Sequence, residues 1–164
     1  MLEFISGRLS VLLKESYRYD VVDAVLAEQS DNPASAARAV KQLQAWVERE
    51  DWNEILPGYA RCVRIIRSAK VSADQLPEIN EQLLAEAAEK SLYKAFQENV
   101  KAEPTTVDEF LSLVVKLIPA INKFFDEVLV MAEEEAVRKN RLALVGQIAG
   151  LADGIADLSK LEGF

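Results

Sequence analysis

The sequence predicts an all-α fold, a bundle of about seven helices, on three observations. Apolar residues recur at the three- and four-residue spacing of a helix through almost all of the 164 residues, and only residues 128–131 could be taken for a short strand. Half of the residues are hydrophobic, which is enough for a chain of this length to bury a substantial core. Helix-starting and helix-breaking residues divide the pattern into separate helices.

Three helices are expected in residues 1–56, which we interpret as an N-terminal helical part. The first, from about residue 2 to 15, carries one apolar stripe, and the second runs from about residue 20 to 28. Asn32 and Pro33 predict the N-cap and first position of the third helix, which is expected to end near Glu50. The stripe of the first helix consists of Phe4, Ile5, Leu9, Leu12 and Leu13.

Residues 57–164 are predicted to form a second helical part, packed with the first as one compact unit. Pro57 and Gly58 are interpreted as an interruption, so that a basic helix begins near Gly58 and ends near Ala69. Pro77 is expected to open the fifth helix.

Thr106 begins the sixth predicted helix, because its hydroxyl and the Glu109 carboxylate fit a capping box. Pro119 removes one backbone hydrogen bond farther along, so we expect a kink or a break into two helices. The seventh helix is expected from about residue 134 to 152. Glycines at four-residue spacing in and after it would leave a groove that another helix can approach closely: Gly146, Gly150 and Gly154.

The residue content excludes several classes of site. The chain has no histidine, so it cannot supply Ser-His-Asp or Cys-His catalysis or an imidazole metal ligand. Cys62 is the one cysteine, so no intrachain disulfide can form, and we interpret it as a buried thiol. No apolar run approaches the ~20 residues that cross a bilayer, and no leader segment opens the chain. We expect a cytoplasmic location.

The charged residues are unevenly distributed. The net charge of −8 argues against a nucleic-acid partner, but residues 59–71 carry four cations and no acid, whereas residues 126–135 carry five acids and no base. The four cations follow one another at three-residue spacing, about 300° of helix, so they stay on one side and can face the phosphates of a single strand. Internal pairing with the acid-rich helices is the alternative. The four are Arg61, Arg64, Arg67 and Lys70.

A second basic cluster lies at residues 138–141. The first turns of a helix can donate to phosphates or base edges, which makes Arg138, Asn140 and Arg141 candidates for contacts with an RNA loop. Pairing of Arg138 with Glu134 or Glu135 is the structural alternative, and the sequence leaves both open.

Residues 124–145 combine an aromatic pair, an acid, an apolar run, an acidic turn and two arginines on a new helix. This stretch resembles the C-terminal anticodon-binding module named after the tetrapeptide Asp-Ala-Leu-Arg, which reads Glu135-Ala136-Val137-Arg138 here. Two letters differ, but an acid, a small residue, an aliphatic residue and a guanidinium keep their order. Arginyl-tRNA synthetases and the beta subunits of bacterial glycyl-tRNA synthetases end in this module. The resemblance implies the helical fold of the anticodon-binding domain of class I arginyl-type synthetases.

Further segments favour the glycyl version. Residues 141–144 and 155–161 look like the closing sequence of that beta subunit, and residues 17–27 are similar to a segment that precedes its anticodon-binding part. Residues 59–67 look like the opening helix of the module in arginyl enzymes, with Arg61 at a recurring arginine position. Beta subunits of the family are several times longer, so we expect a C-terminal part of one, with Met1 added at the cut.

The resemblance implies a tRNA-binding role that supports aminoacylation of glycine tRNA by a glycine-tRNA ligase. Activation of glycine with ATP and magnesium would belong to a separate alpha subunit, so no catalytic residue, cofactor or metal is expected in this chain. Its partners would be glycine tRNA and the alpha subunit, without a membrane or DNA. Two alternatives stay open: a helical scaffold that docks subunits without touching RNA, and the equivalent domain of an arginyl-tRNA synthetase.

Overall fold

The computed structural model describes residues 2–72 and 75–164, with side chains from residue 7 onward. Within that part of the chain there are seven α-helices and no strand, which confirms the predicted all-α class. Short 3-10 turns occur at Glu81–Leu83, Gly150–Ala152 and Leu158–Lys160. The helices are α1 (Leu2–Lys14), α2 (Tyr19–Leu26), α3 (Pro33–Val47), α4 (Trp52–Ala69), α5 (Ala87–Asn99), α6 (Val107–Glu127) and α7 (Glu135–Ala149).

Contacts divide the chain into two compact units, each assembled from separate stretches of sequence. The first comprises Met1–Pro57, Pro104–Leu111 and Ala152–Phe164, and the second comprises Gly58–Glu103 and Ser112–Leu151. The division into residues 1–56 and 57–164 stays a prediction.

The core of the first unit forms where α2 meets α3 and the C-terminal segment. Val21 and Val25 of α2 are fully buried, as are Val40 and Leu43 of α3. A hydrogen bond attaches the C-terminal segment to α2: the Asp157 amide donates to the Ala24 carbonyl at 2.8 Å.

Asp20 provides a second attachment for the C-terminal segment. Its side chain is fully buried and accepts hydrogen bonds from the Glu162 and Val21 amides, both at 3.0 Å, and from the Arg18 guanidinium. Burial opposes the ionisation of Asp20, but the Glu162 amide and Arg18 outweigh it and hold the pKa of this carboxyl below its ordinary value.

The second unit packs α5 and the 3-10 turn Glu81–Leu83 against α7. Tyr59 of α4 is buried, and its hydroxyl donates to the Ala149 carbonyl at 2.6 Å. Gly58 allows close packing, since a Cβ there would lie 2.4 Å from Cδ1 of Ile118 on α6.

The interpretation of Pro57 as a helix interruption is wrong, and the interpretation of Pro119 is wrong in part. Pro57 and Gly58 do not interrupt a helix, because α4 begins at Trp52 and runs through both. The break offered as one outcome for Pro119 is also absent, because α6 is continuous around it. Each proline removes one backbone hydrogen bond, but buried apolar residues on both sides hold the helix together. These are Ile55, Leu56, Tyr59 and Ala60 in α4, and Val114, Leu117, Ile121 and Phe124 in α6.

Local capping signals predict helix starts well. Asn32 Oδ1 accepts from the Ser35 amide at 3.1 Å, and Pro33 begins α3, as expected. The Thr106 hydroxyl accepts from the Glu109 amide at 3.1 Å, while the Glu109 carboxylate accepts from the amide of Thr105, one residue earlier than a standard capping box requires.

The fifth helix begins ten residues later than Pro77 suggests, at Ala87. The reason is a contact distant in sequence. The Asn140 side chain accepts from the Asn80 amide at 2.7 Å and donates to the Asn80 carbonyl at 3.0 Å, and so holds Asn80 in the extended conformation that precedes the 3-10 turn.

Two expectations about apolar and small residues are wrong. Leu12 does not face a core, since it is 62% exposed, and the side chains of Phe4 and Ile5 lie outside the described residues. The glycine groove does not form, because α7 ends at Ala149 and Gly154, with φ +75°, lies beyond it. Only Gly146 lies within the helix, and a Cβ there would lie 2.8 Å from Cδ1 of Leu76.

Candidate nucleic-acid interface

The second half of α4 and the residue that follows it present a basic face, which we define as Arg61, Arg64, Arg67 and Lys70. All four residues are exposed. Cys62 is fully buried on the opposite side, and burial raises the pKa of its thiol to about 12, so this group is neither a thiolate nor a nucleophile at neutral pH. The spacing and the buried position of Cys62 place the three arginines on the outer side of α4.

Arg61 has weak partners inside the domain. Its guanidinium lies 3.7 Å from the Asp126 carboxylate, and the two side chains are 45% and 68% exposed. It also lies 5.8 Å from the centre of the Phe125 ring. Exposed ion pairs of this kind contribute at most about 1 kcal/mol, so a phosphate can take the place of Asp126. Arg64 and Arg67 also interact with other groups of the chain.

Lys70 follows the last residue of α4 and has a φ of +55°, in the left-handed region. Its amide donates to the Arg67 carbonyl at 3.1 Å. This conformation ends the helix where glycine is the usual residue, at a cost of about 1 kcal/mol for a residue with a Cβ. The lysine therefore adds a cation together with some local strain.

The acid-rich segment ends at the start of α7. Glu133, Glu134 and Glu135 are all exposed there, where acids complement the partial positive charge of a helix N-terminus. Lys139 pairs with Glu135 at 2.8 Å, and this hydrogen bond and charge hold the pKa of Glu135 below its ordinary value. Lys139 is thus engaged by an acid of its own helix.

Arg138 belongs to the tetrapeptide, and its charge helps to lower the pKa of Glu135, but its described hydrogen bonds go to backbone carbonyls rather than to the Glu134 or Glu135 carboxylates. Its guanidinium is half-buried and donates to the Ala132 carbonyl at 3.1 Å. The side chain therefore fastens the turn that precedes α7.

Arg141 and Asn140 are buried, being 8% and 2% exposed. Arg141 donates to the Leu129 carbonyl at 2.6 Å and to the fully buried Glu89 carboxylate on α5 at 2.8 Å. Both side chains are therefore buried and hydrogen-bonded within the second unit, and their predicted contacts with RNA stay predictions.

Sequence reasoning missed Glu89 and Asn80, the partners of Arg141 and Asn140. Glu89 is 52 positions from Arg141, and Asn80 is 60 positions from Asn140. One sequence signal was available for Glu89: an acid three residues after Glu86 matches a capping box, and the Glu86 amide does donate to it at 3.2 Å. Nothing local marks the two long-range pairs.

Other kinds of site find no support in the described part of the chain. No three carboxylate or thiol groups there converge to hold a metal ion. None of the described helices combines the length and apolar character of a membrane span.

Comparison with known proteins points in one direction. Residues 55–156 match the family described as the DALR anticodon binding domain. The chain is similar, at 36% identity, to the glycine--tRNA ligase beta subunit of Myxococcus xanthus, with 99% of this chain and 24% of that protein covered. It is 38% identical to the glycine--tRNA ligase beta subunit of Moorella thermoacetica, covering 98% of this chain and 24% of that protein. It is also 35% identical to the glycine--tRNA ligase, chloroplastic/mitochondrial 2, of Arabidopsis thaliana, covering 99% of this chain and 15% of that protein. The chain thus spans a quarter or less of the length of these relatives.

Proposed function

Because the chain belongs to the family of DALR anticodon binding domains, we propose that it binds the anticodon region of glycine tRNA as part of a glycine-tRNA ligase beta subunit. The observation that carries the proposal is the basic face of α4. Its four cations lie along the second half of one helix and the residue that follows it, in a chain whose net charge is −8. A uniformly acidic surface would repel RNA, whereas a local concentration of cations can attract it.

The basic face acts on the sugar-phosphate backbone in this proposal. Residues 61 to 70 span about 13 Å of helix, so their side chains can reach several successive phosphates. Each neutralised phosphate releases counterions, which supplies affinity, and the fixed row of cations sets the orientation of the RNA. Arg61 exchanges the exposed Asp126 carboxylate for a phosphate on binding.

The α7 candidates contribute differently. Asn140 and Arg141 hold Asn80, Leu129 and Glu89 in place through their buried hydrogen bonds, and so shape the second unit. Arg138 is the α7 candidate with access to solvent, and it donates to the carbonyl of Ala132, which follows the exposed Met131 in the sequence. A contact of Arg138 with the RNA loop is compatible with its bond to the Ala132 carbonyl, which uses one nitrogen of the guanidinium.

The wider assembly is part of the same proposal. Aminoacylation of glycine tRNA takes place in the complete ligase, where a separate alpha subunit binds ATP and magnesium and activates glycine. This chain binds the anticodon region so that the acceptor end of the tRNA is positioned for aminoacylation, and it works in the cytoplasm. It supplies no catalytic group.

Titration of fluorescently labelled glycine tRNA tests the proposal. The chain and its Arg38→Ala variant, which lacks an exposed arginine of α3, are expected to bind with similar affinity, whereas Arg61→Ala/Arg64→Ala binds more weakly. Circular dichroism checks that all three fold alike. Equal affinity of the two variants would contradict the proposed interface.

Two further titrations address the alternatives. Binding to the alpha subunit with no binding to glycine tRNA would favour the scaffold. Preference for arginine tRNA in a competition against glycine tRNA would favour the arginyl counterpart.

A further inference from the structure

The second unit contains an open groove of about 640 Å³ next to α5. Its walls come from α5, from the segment before the 3-10 turn and from the last turn of α7. The side chains that matter below are Glu78, Tyr93, Phe96, Gln97, Lys101 and Gln147. A volume of this size is within the range of small-ligand sites in proteins.

One wall of the groove is aromatic. Tyr93 and Phe96 are three residues apart on α5, so their rings lie on the same face of the helix, and both are partly exposed. Burial, the charge of Glu81 and hydrogen bonding to Glu81 raise the pKa of the Tyr93 hydroxyl, so this group stays protonated at neutral pH. Two partly exposed rings offer a surface on which a flat group can stack.

The rim of the groove is polar, with its hydrogen-bonding groups exposed. Gln97 and Gln147 offer amides that both donate and accept, and Glu78 offers a carboxylate that only accepts. Lys101 donates to the Gln97 carbonyl at 2.8 Å, which places an ammonium beside the C-terminal end of α5. With Glu78 on the rim and Glu81 nearby, the groove disfavours a bare phosphate.

We propose that this groove holds one unstacked base of the bound RNA, of a kind that carries an exocyclic amino group. The inference rests on the proposed tRNA-binding function and adds a site that reads a base to the basic face that binds phosphates. The base stacks on Tyr93 and Phe96, as unpaired bases stack on aromatic side chains in other RNA-binding proteins. Gln147 bonds the edge of the base, and Glu78 accepts from its amino group, a pairing that selects cytosine over uracil.

The test uses a glycine-tRNA anticodon stem-loop and its single-position abasic derivatives. Gln147→Ala is expected to lower affinity by roughly 2- to 10-fold, the effect of one hydrogen bond, and Phe96→Ala by roughly 5- to 150-fold. Neither variant should lose affinity for the abasic RNA that lacks the base bound in the groove, because the partner of Gln147 and Phe96 is already missing from that RNA. Gln82→Ala, an exposed change on the neighbouring 3-10 turn, serves as the matched control.

Glu78→Gln tests the selectivity for an amino group. When a cytosine at the identified position is replaced by uracil, the parent chain should lose affinity, and Glu78→Gln should lose less. The groove variants should keep the salt dependence of the parent, because none of them changes a group that binds phosphate. If Gln147→Ala and Phe96→Ala bind every RNA as the parent does while Arg61→Ala/Arg64→Ala binds weakly, the groove proposal fails and the tRNA-binding function stands. If the parent binds none of these RNAs, both fail.

Discussion

The buried pair of Arg141 and Glu89 allows a prediction that separates structure from RNA recognition. The Glu89 side chain is fully buried and that of Arg141 is 10% exposed, with 2.8 Å between the charged groups. When Arg141 is replaced with Met, the Glu86 amide is the one hydrogen-bond donor that the Glu89 carboxylate keeps among the described contacts. It also removes the donor of the Leu129 carbonyl, which holds the segment between α6 and α7.

The expected loss is large because one charge would stay buried alone. At an effective dielectric constant of about 20, two unit charges at this distance attract by roughly 6 kcal/mol, and much of this offsets their removal from water. Breaking such a pair by removing one partner costs about 3–5 kcal/mol of unfolding free energy. For a chain of this size this corresponds to a melting temperature lower by about 6–20 °C.

Urea unfolding of four proteins measures this effect: the parent, Arg141→Met, Glu89→Gln and the double variant. Glu89→Gln/Arg141→Met has no buried charge and keeps an acceptor for the Glu86 amide, so it should recover at least half of the loss of Arg141→Met. The refolded double variant should also bind glycine tRNA within twofold of the parent. A loss below about 1 kcal/mol for Arg141→Met, or a stable double variant with strongly weakened tRNA binding, would refute a mainly structural role for Arg141.

Three shorter predictions concern other contacts. Gly58→Ala/Ile118→Val should be more stable in urea unfolding than the sum of the two single changes predicts. Cδ1 of Ile118, which a Cβ at position 58 would meet at 2.4 Å, is absent in valine, and the alanine still gains about 1 kcal/mol of helix propensity; strictly additive effects would contradict the close packing. The pKa of Asp20 in the folded chain lies below its ordinary value of 3.8, so the stabilisation that this carboxylate gives is complete above pH 3.8 and is lost as the pH falls through the lower folded pKa. Asp20→Asn should therefore lose about 1–3 kcal/mol of unfolding free energy at pH 7, and its stability should decline less in acid than that of the parent. An identical dependence of stability on pH would exclude Asp20 as a contributor. Lys70→Gly should raise the free energy of unfolding by about 1 kcal/mol, because glycine adopts the left-handed conformation without strain, and should weaken tRNA binding, because a cation is lost. A lower stability would contradict the strain at Lys70, and an unchanged affinity would contradict its contact with phosphate.

The sequence predicts what is decided within a few residues. The Asn32 cap and the Thr106 cap are confirmed because each signal acts through neighbouring backbone groups. The exposure of the basic face follows in the same way from helical spacing, with Cys62 on the buried side.

Predictions that depend on distant partners fare worse. Gly58 was interpreted as a helix breaker, but it lies inside α4, where a Cβ would meet Cδ1 of Ile118, 60 positions away in the sequence. Arg141 looks like a surface cation because its partner Glu89 lies on another helix. A local pattern cannot show whether a helix side faces solvent or a buried acid, so the α7 cluster was the part of the candidate site most open to misinterpretation.

The dependence of glycine-tRNA affinity on salt concentration shows whether the basic face of α4 meets phosphates of the RNA. We expect the slope of log affinity against log salt concentration to become shallower by about 0.7–0.9 for each phosphate that Arg61→Ala/Arg64→Ala no longer neutralises, while Arg38→Ala keeps the slope of the parent. A double variant with the same slope as the parent would show that the basic face of α4 does not meet the RNA backbone.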